Sequence, residues 1–267
     1  MSIPDDNAPG GATSAKTRLF GIDLDQSDLS SATTTALNWM ETQTRPCRMI
    51  VTPNVNHAVL YQDNGKFREA YRAASLTLAD GRYLGLISRW LGLGSLPTVN
   101  GSDLVPSIFR ACSTAQRRRV YLLGAGPGVA ASAAERIDAE FDGINVIGTY
   151  SPPIGFESDQ AECGRILAKI NALQPDLVIV GISPPRQEIW VAEQLDQLDA
   201  SVVICAGATI DFLAGHKRRA PEWIQRLRME WLHRTLTEPA RLIPRYTHDA
   251  YHLLPMIWRE WRNKDRS

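Results

Sequence analysis

Asp80 is the residue whose position best suits it to chemistry. It ends the run SLTLAD (75–80) just before Gly81, and a carboxylate at a strand terminus can serve as a general base. Taken alone it reads more readily as a turn-forming Asp-Gly. Thr52, Asn54 and Asn56 follow the run RMIVTPN (48–54), where paired asparagines either clamp ligand hydroxyls or close an Asx turn. Gly124-Ala125-Gly126-Pro127-Gly128 follows another apolar run and opens a helical pattern, so its backbone N–H groups suit a phosphate. Gln187 and Glu188 open a helix after Pro184-Pro185, with Glu188 serving there as a first-turn charge preference. Asp211 lies in Thr209-Ile210-Asp211-Phe212 and reads locally as a turn cap.

Two further patterns point to metals and are outweighed. Asp23-Leu24-Asp25 spells a DxD, a triplet that can hold a divalent cation. It sits at the first strand, and Ser27-Asp28 beyond it reads as a helix cap, so the cap and turn are preferred. His248 and His252 stand four apart, a zinc-compatible spacing, with no third ligand signalled. The expectation is no metal and no cofactor. The GxGxG spacing, and a following strand that ends in Tyr150-Ser151-Pro152 without a ribose-binding acid, argue against a nicotinamide dinucleotide.

The elements that must position these residues alternate. Strand candidates are 18–24, 48–54, 75–80, 119–125, 144–150, 176–183 and 201–207, several of them continuous β-branched runs suited to strands buried on both faces. Helical patterns such as SSATTTALNWMET, AVLYQDNGKFREAYRAA and RQEIWVAEQLDQL lie between them. This predicts an α/β fold with a Rossmann-like, mostly parallel sheet covered by helices on both faces. The polar residues after each strand then gather at one carboxyl edge. The chain divides into a Gly/Pro-rich, disordered segment 1–17, a core 18–215 and a helical appendage 216–267.

Composition narrows the function classes. The chain has 267 residues, 44% of them hydrophobic, which is enough for a large core and excludes disorder of the bulk. Four scattered cysteines (Cys47, Cys112, Cys163, Cys205) form no zinc or disulfide framework. No secretory signature and no spanning apolar run occur, so a cytoplasmic protein is expected. The net charge is zero, but residues 216–267 hold 12 Lys and Arg against 6 Asp and Glu, and four of the seven tryptophans. Such a segment suits anionic headgroups or phosphates; an amphipathic end packed on its own domain is the plainer reading. The basic surplus is local and no recognition motif is present, so no nucleic acid is expected. A homo-oligomer is left open.

The segments VTPNVNHAVL, LADGRYLG, NGSDL, VYLLGAGPGVA, PDLVIVGISPPRQEIWVA and GATIDFLAGHKRRAPEWIQRLRMEWLHRTLTEPARLIPRY, in this order over about residues 18–246, resemble the WecG/TagA/CpsF family of bacterial glycosyltransferases, glycosyltransferase family 26. The resemblance implies inverting transfer of a sugar from a UDP-sugar onto a polyprenyl-diphosphate-linked sugar in cell-surface polysaccharide synthesis, including exopolysaccharide, capsule and teichoic acid. It places the base on Asp80, with Gly81 beside it, and further substrate contacts on Thr52, Gln187 and Asp211. It maps the arginines that meet the acceptor or donor phosphates onto Arg234, Arg241 and Arg245. The same appendage would dock on the inner face of the plasma membrane.

Departures from the family pattern are visible. Thr98 stands where an Arg is usual, Ser183-Pro184-Pro185-Arg186 replaces Gly-Ala-Pro-Lys, and Ile210-Asp211-Phe212 exchanges an aromatic neighbour. The expected reaction is an in-line displacement needing no metal, in which helix N-termini and arginines stabilise the departing diphosphate. Two other readings compete. One is an NAD(P)-dependent sugar-nucleotide oxidoreductase, and the other a non-catalytic membrane-surface adaptor.

Overall fold

A computed structural model describes residues 15–43, 45–216 and 238–264, with Ile224, Leu232, Thr235 and Leu236 between the last two stretches. Its centre is a six-stranded parallel sheet of β3 (Arg48–Val51), β4 (Leu76–Thr77), β5 (Arg118–Gly124), β6 (Ile144–Tyr150), β7 (Leu177–Gly181) and β8 (Val202–Cys205). The strand order is β4-β3-β8-β7-β5-β6. Alternation along each strand supplies two cores. Met49, Val51, Tyr121, Leu123, Val178, Val180, Val203 and Cys205 face one way. Ile50, Val120, Leu122, Leu177, Ile179, Val202 and Ile204 face the other.

Helices cover both faces. Against the first core lie α2 (Val55–Asp63), α3 (Gly65–Ala73), α4 (Arg82–Trp90), α7 (Gln160–Leu173) and α8 (Arg186–Gln194), through Val59, Phe67, Leu84, Ile166 and Trp190. Against the second lie α1 (Leu29–Glu41), α5 (Gly101–Ala111), α6 (Val129–Glu140) and α9 (Thr209–Leu213), through Ala36, Leu104, Ile137 and Ile210. The long C-terminal α10 (Pro239–Lys264) adds Met256 to the first core. The expected α/β, Rossmann-like architecture is therefore present.

Three local outcomes differ from the sequence reading. The strand expected at 18–24 is an antiparallel hairpin, β1 (Lys16–Leu19) with β2 (Ile22–Asp25), outside the main sheet. Phe20 and Gly21 both have positive φ, as a two-residue type I′ turn requires, and that turn folds the run back on itself. β1 starts at Lys16, inside the segment expected to be disordered; residues 1–14 lie outside the described residues. The pattern 58–74 breaks into α2 and α3 because the Asn64 side chain accepts from the Phe67 N–H and starts a new helix. Asp28 caps α1 by accepting from the Ser31 N–H at 2.8 Å, the role its sequence context suggested.

The connection from β5 leads outward to β6, and that from β7 leads the other way to β8. Adjacent strands whose connections diverge open a crevice at their carboxyl ends. Gly124 and Gly181 end those two strands.

Candidate active site

Asp80 is fixed by backbone pairing that continues past the ends of β3 and β4. Leu78 N donates to Val51 O and Asp80 N donates to Pro53 O, at 2.9 and 2.7 Å, so Asp80 lies beside Thr52-Pro53-Asn54. Thr52 is buried and Asp80 half-buried. Gly81 follows with φ +79 and donates its N–H to Asn100 Oδ1 at 3.0 Å. A side chain at Gly81 would strain that turn, which redirects the chain from Asp80 into α4.

Beneath this edge runs a buried polar network. Asn54 Oδ1 accepts from the N–H groups of Asn56 and His57 and so caps α2. His57 completes the capping box and places its Nε2 3.3 Å from Glu188 Oε1. Gln187 Nε2 donates to the same Glu188 oxygen at 2.6 Å. Gln187 Oε1 accepts from Ile182 N and Gly207 N, both at 3.3 Å, and so joins the ends of β7 and β8. Gln187 and Glu188 are 2% and 1% exposed. Among the described residues, Glu188 Oε2 and the Tyr71 hydroxyl are buried without a hydrogen-bond partner. Burial pushes the Tyr71 phenol well up, and the fields of Glu188, Cys205 and Asp80 add to it.

The remaining strand ends are joined as tightly. Ala125 N donates to Gly181 O at 2.9 Å. A Cβ on Gly124 would fall 2.5 Å from that oxygen, so Gly124 is a packing glycine. A Cβ on Gly126 meets only a Val129 methyl at 3.6 Å, leaving Gly126 as the open member of the pair. The Ser151 hydroxyl donates toward Gly124 O and Gly126 O, at the place where a dinucleotide site would hold its acid. Gly101 abuts Ala206 and Thr209, which brings the start of α5 against the end of β8. Asp211 is half-buried in the first turn of α9.

Helix α10 is attached to this same corner. Asn56 Nδ2 donates to the buried Asp249 Oδ1 at 2.9 Å, and Arg245 Nε lies 3.8 Å from Asp249 Oδ2. Leu242 and Met256 are buried, while Leu253 and Ile257 pack against the core. Trp258 and Trp261 face solvent on the other side of the helix. Arg234, Trp223 and Trp231 lie outside the described residues, as does the side chain of Arg241.

The structure therefore brings Asp80, Gly81, Thr52, Asn54, Asn56, Gln187, Asp211, Gly124 and Gly126 to one edge of one sheet. Within that edge Asn54 serves as a helix cap, Asn56 as a tether to α10 and Gln187 as a buried brace. His57, Tyr71, Asn100 and Asp249 carried no sequence signal. The contacts that tie Asn100, His57 and Asp249 into the site come from partners 19, 131 and 193 residues away, in Gly81–Asn100, His57–Glu188 and Asn56–Asp249. The DxD carboxylates are held structurally: Asp25 accepts from the Thr77 N–H and pairs with Lys16, and Asp23 pairs with Arg18. His248 and His252 sit ring to ring at 4.3 Å. Among the described residues, no group of three His, Cys, Asp or Glu could hold a metal ion.

Residues 17–267 match the family described as the glycosyl transferase WecG/TagA/CpsF family. Among curated proteins, an N-acetylglucosaminyldiphosphoundecaprenol N-acetyl-beta-D-mannosaminyltransferase of Bacillus spizizenii is 31% identical over 202 residues, covering 74% of this chain and 76% of its own length. A protein of the same name from Staphylococcus aureus is 25% identical over 234 residues, covering 86% of this chain and 88% of its own.

Proposed function

The chain belongs to the WecG/TagA/CpsF family of glycosyltransferases, and on that premise we propose that it moves a sugar from a UDP-sugar, with inversion, onto a sugar carried by a polyprenyl diphosphate in cell-envelope polysaccharide synthesis. The observation that carries this reading is the position of Asp80. Asp80 is half-buried, and backbone pairing holds its main chain at the sheet edge where the other polar strand ends converge. The names of the two relatives, each a sugar transferase acting on a diphosphoundecaprenol sugar, support the same class of acceptor.

In the proposed reaction Asp80 takes the proton from the acceptor hydroxyl as that oxygen attacks the anomeric carbon. The nucleotide diphosphate leaves from the opposite face with its bonding electrons. The donor nucleotide lies along the Gly124–Gly128 turn, where Gly126 leaves room for close approach, and its diphosphate extends back across the strand ends toward Asp80. Its developing charge is met by backbone N–H groups and by arginines of the appendage, in the role a metal fills elsewhere. Thr52 and Asp211 flank the sugar, and Gln187 keeps the ends of β7 and β8 in register beneath it.

No helix among the described residues is long and apolar enough to cross a membrane. We assign contact with the lipid substrate to the outer face of α10. Ile243, Tyr251, Leu254, Trp258 and Trp261 are exposed there, and the Arg262 guanidinium lies 4.5 Å over the Trp258 ring. Cations near an anionic leaflet contribute about 1 kcal/mol each, enough together for reversible binding at the cytoplasmic surface.

The test is UDP release from a panel of UDP-sugars given short-chain polyprenyl-diphosphate sugars, with and without EDTA. Acceptor-dependent release that survives EDTA supports the reading. Release that needs added divalent cation contradicts the metal-free mechanism, and no release with any pair contradicts the assignment.

A further inference from the structure

Tyr83, Leu86 and Trp90 form a solvent-facing stripe on α4, at the three-and-four spacing of one helix face, with Trp90 68% exposed. The helix does not lack a core face: Leu84 and Ser88 are buried on its other side. It is also held firmly. The Ser88 hydroxyl donates to Gly94 O at 3.1 Å, and a Cβ on Gly85 would meet Leu96 O at 3.1 Å, so the loop after α4 packs along it. An apolar stripe on a rigid, anchored helix calls for a partner.

Charge and continuity indicate which partner. The α4 sequence RYLGLISRW has two arginines and no acid; the Arg82 guanidinium lies 5.7 Å from the Tyr83 ring and Arg89 is exposed. α4 and α10 cover the same face of the sheet, with Leu84 and Met256 joining one core, and the field of Tyr246 in α10 reaches the Tyr83 phenol. Aromatic rings, aliphatic side chains and arginines thus extend from α10 onto α4, the composition of a surface that enters an anionic lipid interface. We propose that α4 is a second membrane-docking element, in which Tyr83, Leu86 and Trp90 enter the headgroup region beside the outer face of α10. This rests on the membrane reading of α10 given above. Because α4 starts immediately after Asp80-Gly81, its seating would set the height of Asp80 above the lipid.

The experiment uses the full chain and vesicles of phosphatidylcholine with phosphatidylglycerol at low salt, with fluorescence quenching by lipids brominated near the glycerol end. Wild type should bind. Trp90→Phe should remove a quenchable component of its emission. Leu86→Ala with Trp90→Ala should weaken partitioning roughly tenfold at unchanged thermal stability. If wild type binds and Trp258 and Trp261 are quenched while Trp90 is not, the α4 proposal falls and the α10 reading stands. Absence of any vesicle binding would overturn both. A dimer in solution that Trp90→Ala dissociates, with vesicle binding unaltered, would give the stripe to a second copy of the chain and refute the proposal.

Discussion

Asn56 Nδ2 donates to Asp249 Oδ1 at 2.9 Å, joining the first turn of α2 to a helix 193 residues later in the chain. Asp249 is 5% exposed, and its other oxygen faces Arg245 at 3.8 Å. Asn54, two residues before Asn56, caps α2, and Pro53 before it accepts from the Asp80 N–H. One short segment thus positions the candidate base and anchors the appendage.

Asn56→Ala leaves a buried carboxylate short of one donor, a loss of about 1–3 kcal/mol. That loss should fall on α10 rather than on the sheet. Hydrogen exchange is expected to accelerate in α10 while β5, β7 and β8 keep their protection. Uniform acceleration across the chain would refute the tether.

Gln187→Leu deprives Ile182 N and Gly207 N of their acceptor and Glu188 of a donor in a fully buried setting. The expected cost is roughly 2–4 kcal/mol, read by chemical denaturation. Gln187→Glu should be at least as damaging, because it sets a second carboxylate against Glu188 in the same buried space. A tolerated Gln187→Glu would show that Gln187 is not the brace described.

The two glycines of the GxGxG turn should behave differently. Gly124→Ala places a Cβ against the Gly181 backbone at positive φ and should yield little folded protein. Gly126→Ala meets only ordinary contact and should leave the thermal midpoint nearly unchanged while raising KM for the donor. A Gly126→Ala enzyme with unaltered donor KM would remove the donor nucleotide from this turn.

Glu162 sits below the usual carboxylate range because Tyr150 and Arg165 bond its ionised form. A depressed pKa contributes stability above the ordinary value, 4.5, and that contribution is lost as pH falls through the folded value. Tyr150→Phe should therefore be less stable than wild type at neutral pH, with the gap closing as acid is added below about 4.5. A gap that stays constant on acidification would show that the difference arises from packing alone.

The sheet was legible in the sequence because strands such as DLVIVGIS and SVVICAG are short, continuously apolar and β-branched, as parallel strands covered on both faces are, and helical patterns alternate with them. The hairpin was not, since LFGIDL supplies the same hydrophobic signal and only the positive φ at Phe20 and Gly21 folds it back. Asp80 and Gly81 were legible as a strand-end pair. The roles of Asn56, His57, Gln187 and Glu188 were not, because each is defined by a partner brought close only by the fold. Glu188, which has a local explanation as a first-turn acid, is in fact the buried centre of a network.

The most direct measurement compares Asp80→Asn with wild type in acceptor-dependent UDP release, alongside donor affinity measured without acceptor. The substitution keeps the shape of the side chain and removes its ability to take a proton. Turnover should fall by about 10²–10⁴-fold at nearly unchanged donor affinity. An Asp80→Asn enzyme that releases UDP at the wild-type rate would contradict the assignment of the base.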